Sequence, residues 1–379
     1  MMTLKTTLEE LLPTYLEFWK KICNIETPSY DKTALNKQSD VIEAFCLERG
    51  FSVERQQYPN AGDTLLITLR GDGQKSPVAL LAHMDTVHAQ GAFGYPPVRE
   101  EKGILYGPGV FDCKGGIACC LLAMDTLSRV GSHHRTVKLI LNSDEEDGSF
   151  IGKEGVEFIH REASGACAAF NAEAGRDDSL TVGRKGIVCV EIQITGIAGH
   201  AGNAYFSSAS AIREAAYKII DLESQSDADI TFNCGIIRGG KLKNIVPDTC
   251  EIVVDIRFKS AEQQNKAIKI LEKVVQTNHV EGCGATWRTV SVRHAMESTH
   301  ANLSLFEKVM EAADELGLPR LLPMERGGGS DSAYTVEIGV PTVCSMGPIG
   351  HYEHTVREEA DIASLRDRAL MLASSILKV

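Results

Sequence analysis

The stretch Leu80-Leu81-Ala82-His83-Met84-Asp85-Thr86-Val87 decides how this chain is read. It belongs to an apolar run that ends in a histidine and a carboxylate two residues apart. Residues i and i+2 of a strand share a face. A strand over 78–87 would therefore project His83 and Asp85 together from its end. Further acids and imidazoles lie outward along the chain: Asp112, the pair Glu145-Glu146, Glu173 and, near the C-terminus, His351 and His354.

The segments around that strand set its context. Upstream, Leu11, Leu12, Tyr15, Leu16, Trp19 and Ile22 recur at helical spacing and predict a helix over 8–23, with Phe18 and Trp19 in its core face. A second helix is expected over 39–49, stopped by Gly50, and a strand over 65–69. Downstream, a loop rich in Gly, Pro and Tyr runs over 91–109 and leads into an apolar helix over 117–127. Asp112 falls at the entry to that helix, where free backbone N–H groups favour an anion. Strands follow over 137–142, with Asp144-Glu145-Glu146 at its end, and over 166–171, with Glu173 just beyond. Strands alternating with helices imply a largely parallel sheet, whose ligands bind past the carboxyl ends of the strands. His83, Glu145, Glu146 and Glu173 all fall there.

After Lys185 the pattern changes. Strands over 187–195, 230–237, 249–258 and 285–292 and helices over 208–222 and 261–279 give the order β-α-β-β-α-β of a ferredoxin-like sandwich. The expected fold is thus α/β: a mostly parallel mixed sheet flanked by helices, built from 1–185 and 295–379, with an inserted ferredoxin-like α+β domain over 186–294. The last part carries a helix over 303–316, the turn-rich Arg326-Gly327-Gly328-Gly329-Ser330-Asp331, a strand over 342–345 and a helix over 362–377.

A chain of 379 residues is long enough for two such domains. Its formal net charge of -12 and lack of a basic stripe argue against a nucleic-acid partner. Clustered carboxylates call for counter-charge, which bound divalent cations provide. Eleven cysteines, odd in number, scattered and without C-x-x-C, read as reduced thiols of a cytoplasmic protein rather than a disulfide framework. The start, Met1 to Lys5, leads into a helix and not a signal peptide, and no apolar run reaches membrane-spanning length.

Two histidines and three carboxylates suit a pair of zinc ions, each with one imidazole and one terminal carboxylate and sharing a bridging carboxylate. Cobalt or manganese accept the same N/O donors. Such a pair polarises a carbonyl and generates hydroxide near neutral pH. One carboxylate must then stay off the metals to move protons. Glu145 and Glu146 divide these roles if they are neighbours on extended backbone, which point opposite ways, and Asp85 is placed to hold the His83 ring. His133, His134, His160, His279 and His300 read as structural or solvent-exposed, and His88 as lining the pocket.

These residues resemble the zinc-dependent exopeptidase and amidohydrolase family that contains glutamate carboxypeptidase, aminoacylase, acetylornithine deacetylase and succinyl-diaminopimelate desuccinylase. The resemblance spans nearly the whole chain. It rests on His83-Met84-Asp85-Thr86-Val87, Gly109 to Gly116, Asp144-Glu145-Glu146, Asn171-Ala172-Glu173, Gly199-His200-Ala201-Gly202, Asn244-Ile245-Val246-Pro247, Asp255-Ile256-Arg257 and Gly328-Gly329-Ser330-Asp331. It implies that His83 and Glu173 serve one zinc, Glu146 and His354 the other, and that Asp112 bridges them before a cis peptide. His354 is preferred over His351 because Thr355-Val356-Arg357-Glu358-Glu359 resembles the stretch that follows this ligand in relatives. Glu145 is implied as general base and then acid. His200, Asn244 and Arg257 are implied as binding the substrate's carboxylate or steadying the oxyanion, and the inserted domain as the contact of a homodimer. The glycine run 327–329 lets backbone amides approach a ligand closely, which marks Gly329 as substrate-binding, and Arg293 and Arg326 are further pocket candidates. The motifs are closest to glutamate carboxypeptidase. The expected reaction is hydrolysis of an amide or peptide bond beside a free carboxylate, in a small peptide or N-acyl amino acid. N-acyl-amino-acid deacylation at the same centre is the alternative.

Overall fold

The computed structural model describes residues 3–131, 134–148 and 154–379. By internal contacts these form two compact units. The first comprises Met1–Val182, Ser298–Glu325 and Ser330–Val379, and the second Gly183–Glu297 with Arg326–Gly329.

The first unit is built on a six-stranded sheet, in the order Ser52–Gln56, Thr64–Leu69, Arg135–Asn142, Lys75–His83, Ala168–Asn171, Thr342–Val343. The four strands from Arg135–Asn142 to Thr342–Val343 are mutually parallel, and the first two pair antiparallel. The central strand, Lys75–His83, is apolar on both faces because both are covered. Leu80 and Ala82 join Leu139, Leu141 and Phe170 in a core shared with the helices Leu4–Cys23, Lys114–Val130 and Ser364–Lys378. Ala79 and Leu81 join Ile140, Ala169, Phe158, Ile159 and Tyr334 on the other side. Trp19 and Phe18 are core residues, and the Trp19 indole N–H donates to Val110 O at 3.1 Å.

Register sets the site. His83 pairs with Asn142 and Leu81 with Asn171, so three parallel strands end at one level. The residues just past those ends are Asp85, Glu145, Glu146 and Glu173. The strand stops at His83, earlier than its apolar pattern implies, and Asp85 lies beyond it. Lys114–Val130 begins three residues earlier than expected and closes on Gly131 in the left-handed conformation. Its Gly116 lies against the backbone that leads to Glu173: a Cβ there would fall 1.9 Å from Ala172 O. Gly116→Ala should therefore destabilise the fold by ~1–3 kcal/mol or more. Thermal melting checks this; a wild-type melting point would show that the helix yields freely.

The loop expected over 91–109 contains a short hairpin, Arg99–Glu101 and Ile104–Tyr106. It continues antiparallel into Glu359–Asp361 and Gly350–His351. This small sheet carries the C-terminal histidine loop. The helix expected at 39–49 spans Lys32–Leu47, because Asp31, eight residues before the expected start, caps it there.

The second unit has the βαββαβ order, with a four-stranded antiparallel sheet. Its strands lie as Thr231–Gly239, Thr249–Phe258, Gly186–Thr195, Gly284–Arg293. Helices Ala211–Glu223 and Ala261–Gln276 enclose its core of Val188, Val190, Ile192, Ile252, Val254 and Leu271. The segment Arg326–Gly329 is tied to this unit by Lys185 N–H to Arg326 O at 2.9 Å and Arg257 Nη1 to Gly327 O at 3.3 Å. All eleven cysteines are unpaired, and among the described residues no helix is long and apolar enough to cross a membrane.

Candidate metal centre

Seven residues predicted from sequence converge in the first unit. The His83 ring is 1% exposed; its Nε2 lies 3.2 Å from Asp112 Oδ1 and 3.8 Å from Glu173 Oε1. His354 Nε2 lies 3.3 Å from Asp112 Oδ2 and 3.2 Å from Glu146 Oε2. Asp112 thus offers one oxygen to each imidazole. The peptide Asp112-Cys113 is cis. His351 lies on the strand Gly350–His351, whereas His354 sits in the following turn. Tyr352 and His354 both take left-handed backbone, with φ of 64° and 61°. Arg176 steadies this turn by pairing with Glu353 and donating to Gly350 O.

Asp85 is the organiser of the opposite wall. Although it lies outside the strand, the chain folds back so that His83 Nδ1 is 3.1 Å from Asp85 O and 3.3 Å from its Oδ1. Asp85 also accepts the backbone N–H of Glu145 at 3.1 Å and of Glu146 at 3.0 Å, and the Ser29 hydroxyl at 2.6 Å. Glu145 and Glu146 are not on extended backbone as expected: they occupy a turn closed by Gly148 N–H on Glu145 O at 2.8 Å. A single carboxylate receiving both N–H groups is what bends the chain there. Cys113 is buried, with its Sγ accepting the His83 N–H at 3.1 Å, and can reach a group formed with His83 and Glu173.

Electrostatics show what the donor set needs. Burial opposes the charge on Asp112, but the His354 and His83 rings overcome it and hold its carboxyl well below the usual range. Burial and the adjacent Asp112 carboxylate push Glu146 up to about 8. Hydrogen bonds to Asp112 and Glu146 raise His354 to about 11. Burial opposes protonation of His83, yet Cys113, Asp112 and Asp85 together push it up. A cluster of acids and imidazoles, buried except for His354, that retains protons in this way calls for positive charge at its centre, and divalent cations supply that charge without protons. Protons and cations then compete. Groups with raised pKa values hold protons at neutral pH and must release them to become ligands. Apparent metal affinity should therefore rise with pH across 6 to 8, with proton release measurable by calorimetry in buffers of different ionisation enthalpy. A flat profile would contradict the assignment.

The sequence did not single out Glu358. Its carboxylate, 1% exposed, accepts backbone N–H groups of Gly109, Phe111 and Asp112 and meets His88 Nε2 at 2.9 Å. Its place four residues after His354 was the available signal. His88 is 8% exposed and is engaged with Glu358. Of the other histidines, His134 meets Asp72, His160 meets Glu337 and His279 meets Asp221; His133 lies outside the described residues.

In the second unit, His200 and Asn244 lie on adjoining segments: His200 pairs with Ile245, and Ala201 N–H donates to Asn244 O at 3.0 Å. His200 Nδ1 accepts the N–H of Gly202 at 3.1 Å and of Asn203 at 3.3 Å. Arg257 is held by Asp255 through two bonds of 2.6 and 2.9 Å. Gly329 lies against Arg293, whose Cδ would be 2.6 Å from a Cβ at that position.

Similarity to known proteins extends over most of the chain. The signature described as Peptidase family M20/M25/M40 matches residues 79–378. Carboxypeptidase G2 of Pseudomonas sp. (strain RS-16) is 30% identical over 373 residues, 96% of this chain and 89% of that protein. Acetylornithine deacetylase of Myxococcus xanthus is 31% identical over 259 residues, covering 62% of this chain and 65% of its own length. The Bacillus subtilis YXEP protein, described as a dinuclear metal-binding peptidase, superposes with a TM-score of 0.71 at 17% identity over 97% of this chain and 98% of its own, a likeness of fold. With most of the chain matched to one signature, and a relative aligned along nearly its full length, the chain belongs to peptidase family M20/M25/M40, a family of metallohydrolases.

Proposed function

We propose that the chain hydrolyses an amide or peptide bond beside a free carboxylate, in the manner of a glutamate carboxypeptidase, with a pair of divalent cations at the centre. The observation that carries this is Asp112, whose two oxygens face two different imidazoles at 3.2 and 3.3 Å. His83, Glu173 and Asp112 would hold one cation, and His354, Glu146 and Asp112 the other. Zinc is the proposed metal, since imidazole with carboxylate is a common catalytic zinc set. When bound, the cations supply Lewis acidity toward the scissile carbonyl and acidify water.

Glu145 takes the proton of the attacking water and delivers it to the leaving amine. It is 6% exposed, so little bulk water competes for that proton, and its backbone is fixed on the same Asp85 that orients His83. His200 is a hydrogen-bond donor to the substrate: with Nδ1 accepting two backbone N–H groups, the neutral ring carries its proton on Nε2. Such a donor stabilises an oxyanion or a substrate carboxylate. Asn244, Arg257 and the Gly329 backbone complete the proposed substrate contacts.

A substrate panel tests the reading. Dipeptides and N-acyl compounds ending in glutamate should be turned over best, and amidation of the terminal carboxylate should abolish turnover. A preference for N-acetyl amino acids regardless of side chain would favour the deacylase reading, which the similarity to acetylornithine deacetylase supports. Turnover of C-terminally amidated peptides at wild-type rates would exclude both.

A further inference from the structure

We propose that Glu358 is a positioning residue for the cation pair, anchoring the Asp112 loop to the turn that carries His354; this rests on the metal-centre reading above. Its Oε1 accepts the Phe111 and Asp112 N–H groups, both at 2.9 Å. Its Oε2 accepts the Gly109 N–H at 3.1 Å and meets His88 Nε2 at 2.9 Å. Its backbone oxygen accepts the Gly107 N–H at 3.3 Å. One buried carboxylate, on the segment that follows His354, therefore touches two other ligand-bearing segments: the chain following His83 and the loop ending in Asp112.

The geometry distinguishes this from a carboxylate that merely satisfies a loop. The Asp112 N–H bond fixes the backbone of the residue whose oxygens face His83 and His354. Glu358 also closes the turn that carries the left-handed His354, its own N–H donating to Thr355 O at 3.0 Å. Removing the carboxylate frees both the shared bridge and one terminal ligand, so both cation positions should loosen together. His88 completes the arrangement as a donor to the acid. Its ring is held edge-on to Phe93, with centroids 4.8 Å apart. Partners that orient metal ligands typically change affinity by ~10–100-fold when removed.

The test compares wild type, Glu358→Ala and Glu358→Gln. Zinc dissociation constants come from chelator competition, ligand geometry from the visible spectrum of the cobalt-loaded protein, and foldedness from circular dichroism at the same temperature. Folded Glu358→Ala should bind both cations at least about tenfold more weakly, with an altered cobalt spectrum. Glu358→Gln should be intermediate, because its amide oxygen can still accept from Phe111 and Asp112 while Gly109 loses its partner. A folded Glu358→Ala with wild-type affinities and spectrum would overturn the proposal. If that variant does not fold, wild-type values in Glu358→Gln would overturn it equally. A wild-type chain that takes up no cation pair would count against the metal-centre reading itself, and the inference would fall with it.

Discussion

Glu145→Gln should fold, take up metal and lose about 10²–10⁴-fold in kcat. The substitution keeps the length and shape of the side chain and its backbone N–H bond to Asp85 at 3.1 Å, so the turn that also carries Glu146 should persist. What disappears is the ability to accept and return a proton. Of the two adjacent glutamates, Glu146 lies 3.2 Å from His354 and is the one committed to a cation in this account. Glu145 is the one left over. The same variant should bind product or substrate with nearly unchanged affinity, separating a lost proton carrier from a lost binding group. Zinc content by elemental analysis, together with kcat and KM, decides the matter. Wild-type kcat with two bound cations would remove Glu145 from the reaction.

Asp112→Ala should have the opposite signature: folded, but unable to hold the pair. Each other proposed ligand faces one imidazole-centred position, whereas Asp112 faces both. Its removal deletes one donor from each position and leaves Glu146, Glu173 and two imidazoles without the charge between them. Affinity at both positions should fall by more than the ~10–100-fold typical of outer partners, and turnover should reach background. Asp112→Asn should retain some binding through its amide oxygen. Loss of only one cation from Asp112→Ala would mean that the carboxylate does not bridge.

Much of the fold was legible because the sheet is buried on both faces. The apolar runs ending at His83, Asn142 and Asn171 mark strands by composition alone, and parallel pairing brings their ends to one level. His83, Glu146 and Glu173 follow from that level, since each lies within a few residues of one of those strand ends, whereas Asp112 precedes a helix and His354 follows a strand of the small sheet. The hairpin Arg99–Glu101 and Ile104–Tyr106 was not legible. Its first strand is exposed and wholly charged, so no alternation of apolar residues announces it. The turn at Glu145 and Glu146 was misread as extended because its cause is Asp85, sixty residues upstream in sequence. Glu358 was hidden for the same reason. It serves backbone amides roughly 250 residues away, and an amide carries no residue-specific mark in the sequence.

Metal uptake by the stripped wild-type chain tests the account most directly. Titration with zinc, followed by calorimetry and elemental analysis, should end at two cations per chain, and His83→Ala and His354→Ala should each weaken a different one. Uptake of no cation, or of a single cation indifferent to both histidines, would contradict it.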